Sequence, residues 1–130
     1  MTFEGRVTSG TGQGAYFLSL PWVERELERT LTLRPFPGTL NLRVKPQVSE
    51  ALFGGRAEFL RIADPSSPQC PGYLKSVVLN ANGRTCSVAW LILPEQTMHH
   101  DIVEIIAPVA LRKSLNLNDG DPVDVEIAEA

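Results

Sequence analysis

Between residues 21 and 31 apolar side chains return at every fourth position, as Val23, Leu27 and Leu31, with charged residues in between. That period predicts an amphipathic helix, and Pro21 suits its first turn. Elsewhere the pattern is shorter and mostly alternating, which predicts strands over Glu4 to Thr8, Ala15 to Leu20, Thr39 to Val44, Glu58 to Ile62, Tyr73 to Leu79, Thr85 to Leu93, Ile102 to Ile106 and Val123 to Ile127. The stretch Ala15 to Leu20 is read as a short aromatic-rich strand rather than a helix. Asn80 to Arg84 contains an Asn-Gly step, a strong hairpin signal, and Asp119-Gly120-Asp121 predicts a turn into the final strand. Gln47 to Phe53 predicts a helical turn closed by Gly54-Gly55, and Pro108 opens a short helix over Val109 to Leu115. The proline- and serine-rich segment Asp64 to Gly72 is expected to be a loop and a candidate lid. Strands in this number, with two or three short helices and no internal repeat, predict a mainly β protein, a small closed β-barrel forming a single domain over residues 1–130.

Composition narrows the class. The chain has 130 residues, 43% apolar and 21% charged, enough for one buried core. A net charge of -3 and a pI near 5.3 argue against nucleic acid as a partner, because phosphate contacts normally leave a basic excess. A small polyanion needs only a local site. Two cysteines, Cys70 and Cys86, are too few for a disulfide framework, which points to reduced thiols and the cytoplasm. No apolar run approaches the roughly 20 residues of a membrane span.

Two stretches carry candidate chemistry. In Ser9-Gly10-Thr11-Gly12-Gln13-Gly14, alternate glycines leave backbone N–H groups exposed, so the loop can wrap an anion such as a di- or triphosphate. It is not a Walker loop, because Ala15-Tyr16 stands where Lys-Ser or Lys-Thr is required, nor is it the dinucleotide GxGxxG. A flexible hairpin loop is the plain alternative. In Arg34-Pro35-Phe36-Pro37-Gly38-Thr39-Leu40-Asn41, the hydroxyl of Thr39 and the carboxamide of Asn41 are two residues apart and share one face of an extended strand. Two neutral oxygens there can hold a hard cation such as Mg²⁺ that already carries phosphate and water ligands. The alternative is a proline-rich turn whose polar groups bond to backbone. Glu104 interrupts an apolar strand on the face of Ile102 and Ile106, either at an exposed edge or aimed into a cavity that wants an acceptor. His99 and His100 are adjacent and diverge on a strand, which makes them poor joint metal ligands. Neither thiol has an activating neighbour.

The blocks Ser9 to Phe17, Pro35 to Leu42, Pro94 to His99, Asp101 to Arg112 and Leu117 to Asp121, in that order, resemble the CTP-dependent riboflavin kinases typical of archaea. The resemblance implies a cradle-loop barrel that moves the γ-phosphoryl of CTP to the 5′-hydroxyl of riboflavin. Carried over by position, Gly10, Thr11, Gly12, Gln13, Gly14 and Ala15 correspond to the loop that holds nucleotide phosphates, and Val109, Ala110, Leu111 and Arg112 to a stretch lining the nucleotide. Thr39 and Asn41 correspond to Mg²⁺ ligands, and Thr97 and Glu104 to flavin contacts. Riboflavin and CTP are thus the implied partners, and a monomer without an N-terminal helix-turn-helix is expected. The chain departs from the family's usual glutamate at Gln13 and arginine at Gln96, and from its Phe-Gly-Gly block at Cys70-Pro71-Gly72. Two other readings are a barrel that binds flavin or nucleotide without transfer, and a swapped-hairpin transcription regulator, suggested by the ending Leu115 to Val123.

Overall fold

The computed structural model describes residues 1–10, 13–94 and 101–127. Its strands are β1 (Thr2–Thr8), β2 (Leu40–Arg43), β3 (Leu60–Asp64), β4 (Ser67–Ala81), β5 (Arg84–Pro94), β6 (Ile102–Ile106) and β7 (Pro122–Ile127). The helices among the described residues are α1 (Gln13–Ser19), α2 (Pro21–Leu31), α3 (Pro46–Gly54) and α4 (Leu111–Ser114), with one 3₁₀ turn at Arg56–Glu58. The strands β4, β5, β6, β2, β1 and β7 pair antiparallel in that order, and β7 pairs back onto β4, with Val77 opposite Ile127 and Asn80 opposite Asp124. Six strands therefore close into a barrel. The remaining strand, β3, stands outside the ring and pairs with the first half of β4, Leu60 opposite Leu74.

Alternation along each strand sorts side chains to two faces. Leu42, Val77, Leu79, Leu91, Ile105, Val123 and Val125 fill the barrel and are fully buried. The outer face is dressed separately: Leu74, Ile92 and Ile106 of the barrel, with Ile62 of β3, lie under Val23 and Leu27 of α2. Burying such an aliphatic side chain is worth about 1.5–3 kcal/mol, so this second cluster fixes α2 firmly on the sheet. The helix begins with Pro21 in its first turn and ends at Thr32, whose N–H bonds back to the carbonyl of Glu28 at 3.0 Å. Asn82 and Gly83 both have positive φ, 53° and 69°, the geometry of a two-residue hairpin turn whose twist matches the strands.

Several expectations are corrected. Ala15 to Leu20 lies in helix α1 and its exit rather than in a strand, because Phe17, Leu18 and Leu20 reach down to the outer cluster at helical spacing. The segment Asp64 to Gly72 is a hairpin, not a loop: Ser67 pairs with Asp64 and Gly72 with Ile62, extending β4 toward the outside strand. The helix expected over Val109 to Leu115 is shorter, Leu111–Ser114, and the strand expected over Glu58 to Ile62 is shifted to Leu60–Asp64. Among the described residues four helices stand where two or three were expected. The lid expectation for Asp64 to Gly72 loses its basis with the loop.

Candidate functional site

The register of three strands builds the centre of the site. Thr8 of β1 lies opposite Asn41 of β2, Asn41 lies opposite Glu104 of β6, and Glu104 lies opposite Ile92 of β5. Leu40 and Leu42 point into the barrel, so Asn41 and Glu104 project together from its outer face. Glu104 is on a central strand and half-buried, which removes the exposed-edge alternative.

Thr39 joins them from the turn before β2. Gly38 in that turn has φ of +97°, a conformation that favours glycine, and it delivers Thr39 to the strand's entry. The Thr39 hydroxyl donates to the Glu104 carboxylate at 2.9 Å, and the Asn41 amide approaches the Thr39 hydroxyl at 3.4 Å. Hydroxyl, carboxamide and carboxylate thus form one contiguous polar patch.

The glycine segment lies against this patch. A Cβ at Gly10 would collide with the Asn41 amide, 2.8 Å from its Cγ, and a Cβ at Gly14 would collide with the Glu104 carboxylate and come within 2.7 Å of Thr39 Cγ2. Neither glycine needs a positive φ, so close approach is what calls for glycine at both. The two segments singled out in the sequence, far apart in the chain, therefore touch. Thr11 and Gly12 lie between them outside the described residues, as does Thr97. Gln13 opens α1, Gly14 is buried, and Ala15 is exposed on the same helix.

The remaining candidates form the wall of an adjoining pocket. Phe36, Pro37, Gly38, Thr39 and Leu40 face Val109, Ala110, Leu111 and Arg112 across a cavity of about 140 Å³, with Ile105 and Ala107 also in its lining. The Phe36 N–H donates to the Ala107 carbonyl at 2.7 Å, which ties the two walls together. Phe36 and Val109 are both held exposed at this pocket, 47% and 45%, although each is large and apolar. Arg112 donates to Asp119 at 2.7 Å and to the Thr8 carbonyl at 3.5 Å, so it bridges the pocket and the end of β1 that leads into the glycine segment.

Phe36 and Asp119 were absent from the sequence reading as site residues. An aromatic between two prolines was a signal for Phe36; for Asp119 there was only its place in a turn. Among the described residues no cluster of three or more histidines, cysteines, aspartates or glutamates could hold a metal. Thr39 Oγ1 and the Asn41 carboxamide are hard oxygen donors, which fit a divalent cation completed by phosphate and water rather than an all-protein cage, and the Glu104 carboxylate lies beside them. No helix among the described residues is long and apolar enough to cross a membrane.

Comparison with known proteins gives a consistent result. The family model CTP-dep_RFKase, described as a domain of unknown function, DUF120, matches residues 7–127. The chain is 40% identical over 126 residues to the riboflavin kinase of Pyrobaculum aerophilum, covering 95% of this chain and 59% of that protein. It is 36% identical over 123 residues to the riboflavin kinase of Methanopyrus kandleri, 95% and 80% of the two chains, and 33% identical over 128 residues to that of Sulfurisphaera tokodaii, 95% and 93%. The chain thus spans about three fifths of the length of the Pyrobaculum relative, and most of the other two.

Proposed function

The chain belongs to the CTP-dependent riboflavin kinase family, and on that premise we propose that it transfers the γ-phosphoryl group of CTP to the 5′-hydroxyl of riboflavin, giving FMN and CDP. The observation that supports the reading is the close approach of Gly10 and Gly14 to Asn41, Thr39 and Glu104, which puts both sides of the glycine segment directly against a hard-donor patch. Phosphoryl transfer asks mainly for positioning and charge neutralisation, and these residues are of the types that supply both without a nucleophilic side chain.

In this reading the segment Gly10 to Ala15 holds the phosphates through backbone N–H groups, and Thr39 and Asn41 hold Mg²⁺. The cation, when bound, neutralises charge on the phosphates. Glu104 and Thr97 hold the flavin, with Glu104 accepting from a flavin hydroxyl. The nucleoside end takes the pocket between Phe36 and Val109. CTP as the donor is supported by the family's name. The protein is taken to act as a cytoplasmic monomer on small molecules alone.

Incubation with riboflavin, Mg²⁺ and either CTP or ATP, read by chromatography, tests the proposal. FMN is expected with CTP, and Asn41→Ala is expected to lower its rate by roughly 10²-fold, as for loss of one electrostatic contact in such a site. Absence of product with any nucleotide at ample enzyme defeats the kinase reading. Tight flavin binding without turnover would instead identify a barrel that binds only.

A further inference from the structure

The turn before β7 contains two aspartates with different tasks. Asp121 builds the turn: its Oδ2 accepts from the Asn118 N–H at 2.8 Å, and its own N–H donates to the Asn118 carbonyl at 3.1 Å. The same turn is fastened to β1, with the Gly120 N–H donating to the Val7 carbonyl at 2.8 Å and the Val7 N–H donating to the Asp121 carbonyl at 3.0 Å. Gly120 has φ of +87° and accepts from Arg6 at 3.3 Å. None of these bonds uses the side chain of Asp119. Its Oδ1 instead accepts from Arg112 Nη2 at 2.7 Å, and that guanidinium also reaches the Thr8 carbonyl.

Arg112 therefore sits where the pocket wall, the end of β1 and the start of the glycine segment meet. It is half-exposed, 46%, and a free arginine at such a site would spread over many rotamers. A carboxylate on one side of the guanidinium fixes its plane and leaves other N–H donors available to an anion. We propose that Asp119 is a positioning residue for the nucleoside triphosphate, holding Arg112 at the joint between the phosphate loop and the base pocket. The inference rests on the reading of Arg112 as a nucleotide contact. It gives the Asn118-Asp119-Gly120-Asp121 turn a second task beyond shaping the entry to β7.

The test measures CDP affinity by titration calorimetry, with KM for CTP and for riboflavin, in the full chain and in Asp119→Asn, Asp119→Glu, Arg112→Ala and the Asp119→Asn/Arg112→Ala double variant. Asp119→Asn is expected to weaken CDP and raise the CTP KM about three- to tenfold, leaving the riboflavin KM and the melting temperature near wild type, since an exposed ion pair adds little to stability. Asp119→Glu is expected to restore most of the affinity, and the Asp119→Asn effect is expected to vanish once Arg112 is alanine. If Arg112→Ala weakens CDP while Asp119→Asn does not, or if the two effects simply add, the positioning role is overturned and the Arg112 reading stands. If Arg112→Ala also leaves CDP affinity unchanged, both fall. A large drop in melting temperature with equal losses for both substrates would assign Asp119 a structural role and overturn the proposal.

Discussion

Gly14 has no room for a side chain, yet it lies in a helix, where alanine would ordinarily be preferred by up to about 1 kcal/mol. A Cβ there meets both the Glu104 carboxylate, the end of a flexible side chain, and the Cγ2 methyl of Thr39, the tip of a short β-branched one, so both partners of the Thr39–Glu104 hydrogen bond must shift. Gly14→Ala is accordingly expected to lower the melting temperature modestly and to lower FMN formation by at least roughly tenfold, the size of effect seen when a substrate-positioning group is displaced. Thermal melts beside single-turnover assays separate the two. Much of the site was legible at this scale. The two-residue spacing of Thr39 and Asn41 and the alternate glycines were both visible in the chain. Their meeting with Glu104 was not, because 65 residues separate Glu104 from Thr39 and only the pairing of β2 with β6, which sets Asn41 opposite Glu104, brings them together.

Among the elements, α2 followed from its sequence period and is the clearest case where local pattern and burial agree. Its end contains a misfit. Thr32 takes the left-handed conformation, φ 51°, that closes a helix, a conformation costly for a β-branched residue and easy for glycine. Thr32→Gly is expected to stabilise the fold by about 0.5–1 kcal/mol, measurable as a higher denaturant midpoint at unchanged slope. On the same helix Arg29 donates to Glu26 at 2.6 Å and holds its carboxyl below the ordinary value of 4.5. A lowered folded-state pKa contributes stability that is present above the unfolded value and is lost as pH falls through the folded one. Glu26→Gln should therefore lower the melting temperature at neutral pH and make no difference at strongly acid pH. Helix α1 was misread because Tyr16-Phe17-Leu18 has the residue types of a strand, and tertiary packing overrides them. A Cβ at Gly72 on β4 would stand 3.0 Å from the Phe17 ring, so it is the absence of that side chain that lets α1 sit down on the sheet. Prolines and glycine likewise disguised the start of β4, whose partner is an outside strand that local pattern cannot reveal.

At the scale of the molecule, barrel closure and the second layer have different origins. The ring is held by continuous strand pairing and one apolar interior, and the alternation of apolar residues made it legible as a closed β fold. The outer layer rests on α1, α2 and β3 over a smaller cluster, and α1 is its least secured part, with seven residues, exposed Tyr16 and Ser19, and the site directly beside Gly14. Local opening free energies follow such differences in buried contact. Amide hydrogen exchange in the free protein is therefore expected to be fastest, among the regular elements of this layer, over residues 13–19, and slow over β5 and β6. A ligand that binds only the folded site adds RT ln(1 + [L]/Kd), about 2.7 kcal/mol at a hundredfold excess over Kd, to the stability of whatever segment must close around it. Addition of CDP with Mg²⁺ should then slow exchange in residues 13–19 and in the segment 36–41 by up to roughly a hundredfold, while α3, which shares no lining with either the polar patch or the pocket between Phe36 and Val109, keeps its rate. Protection appearing in α3 and not in α1 would place the nucleotide at the other end of the barrel and would dismantle the site assembled from Gly10, Gly14, Thr39, Asn41 and Glu104.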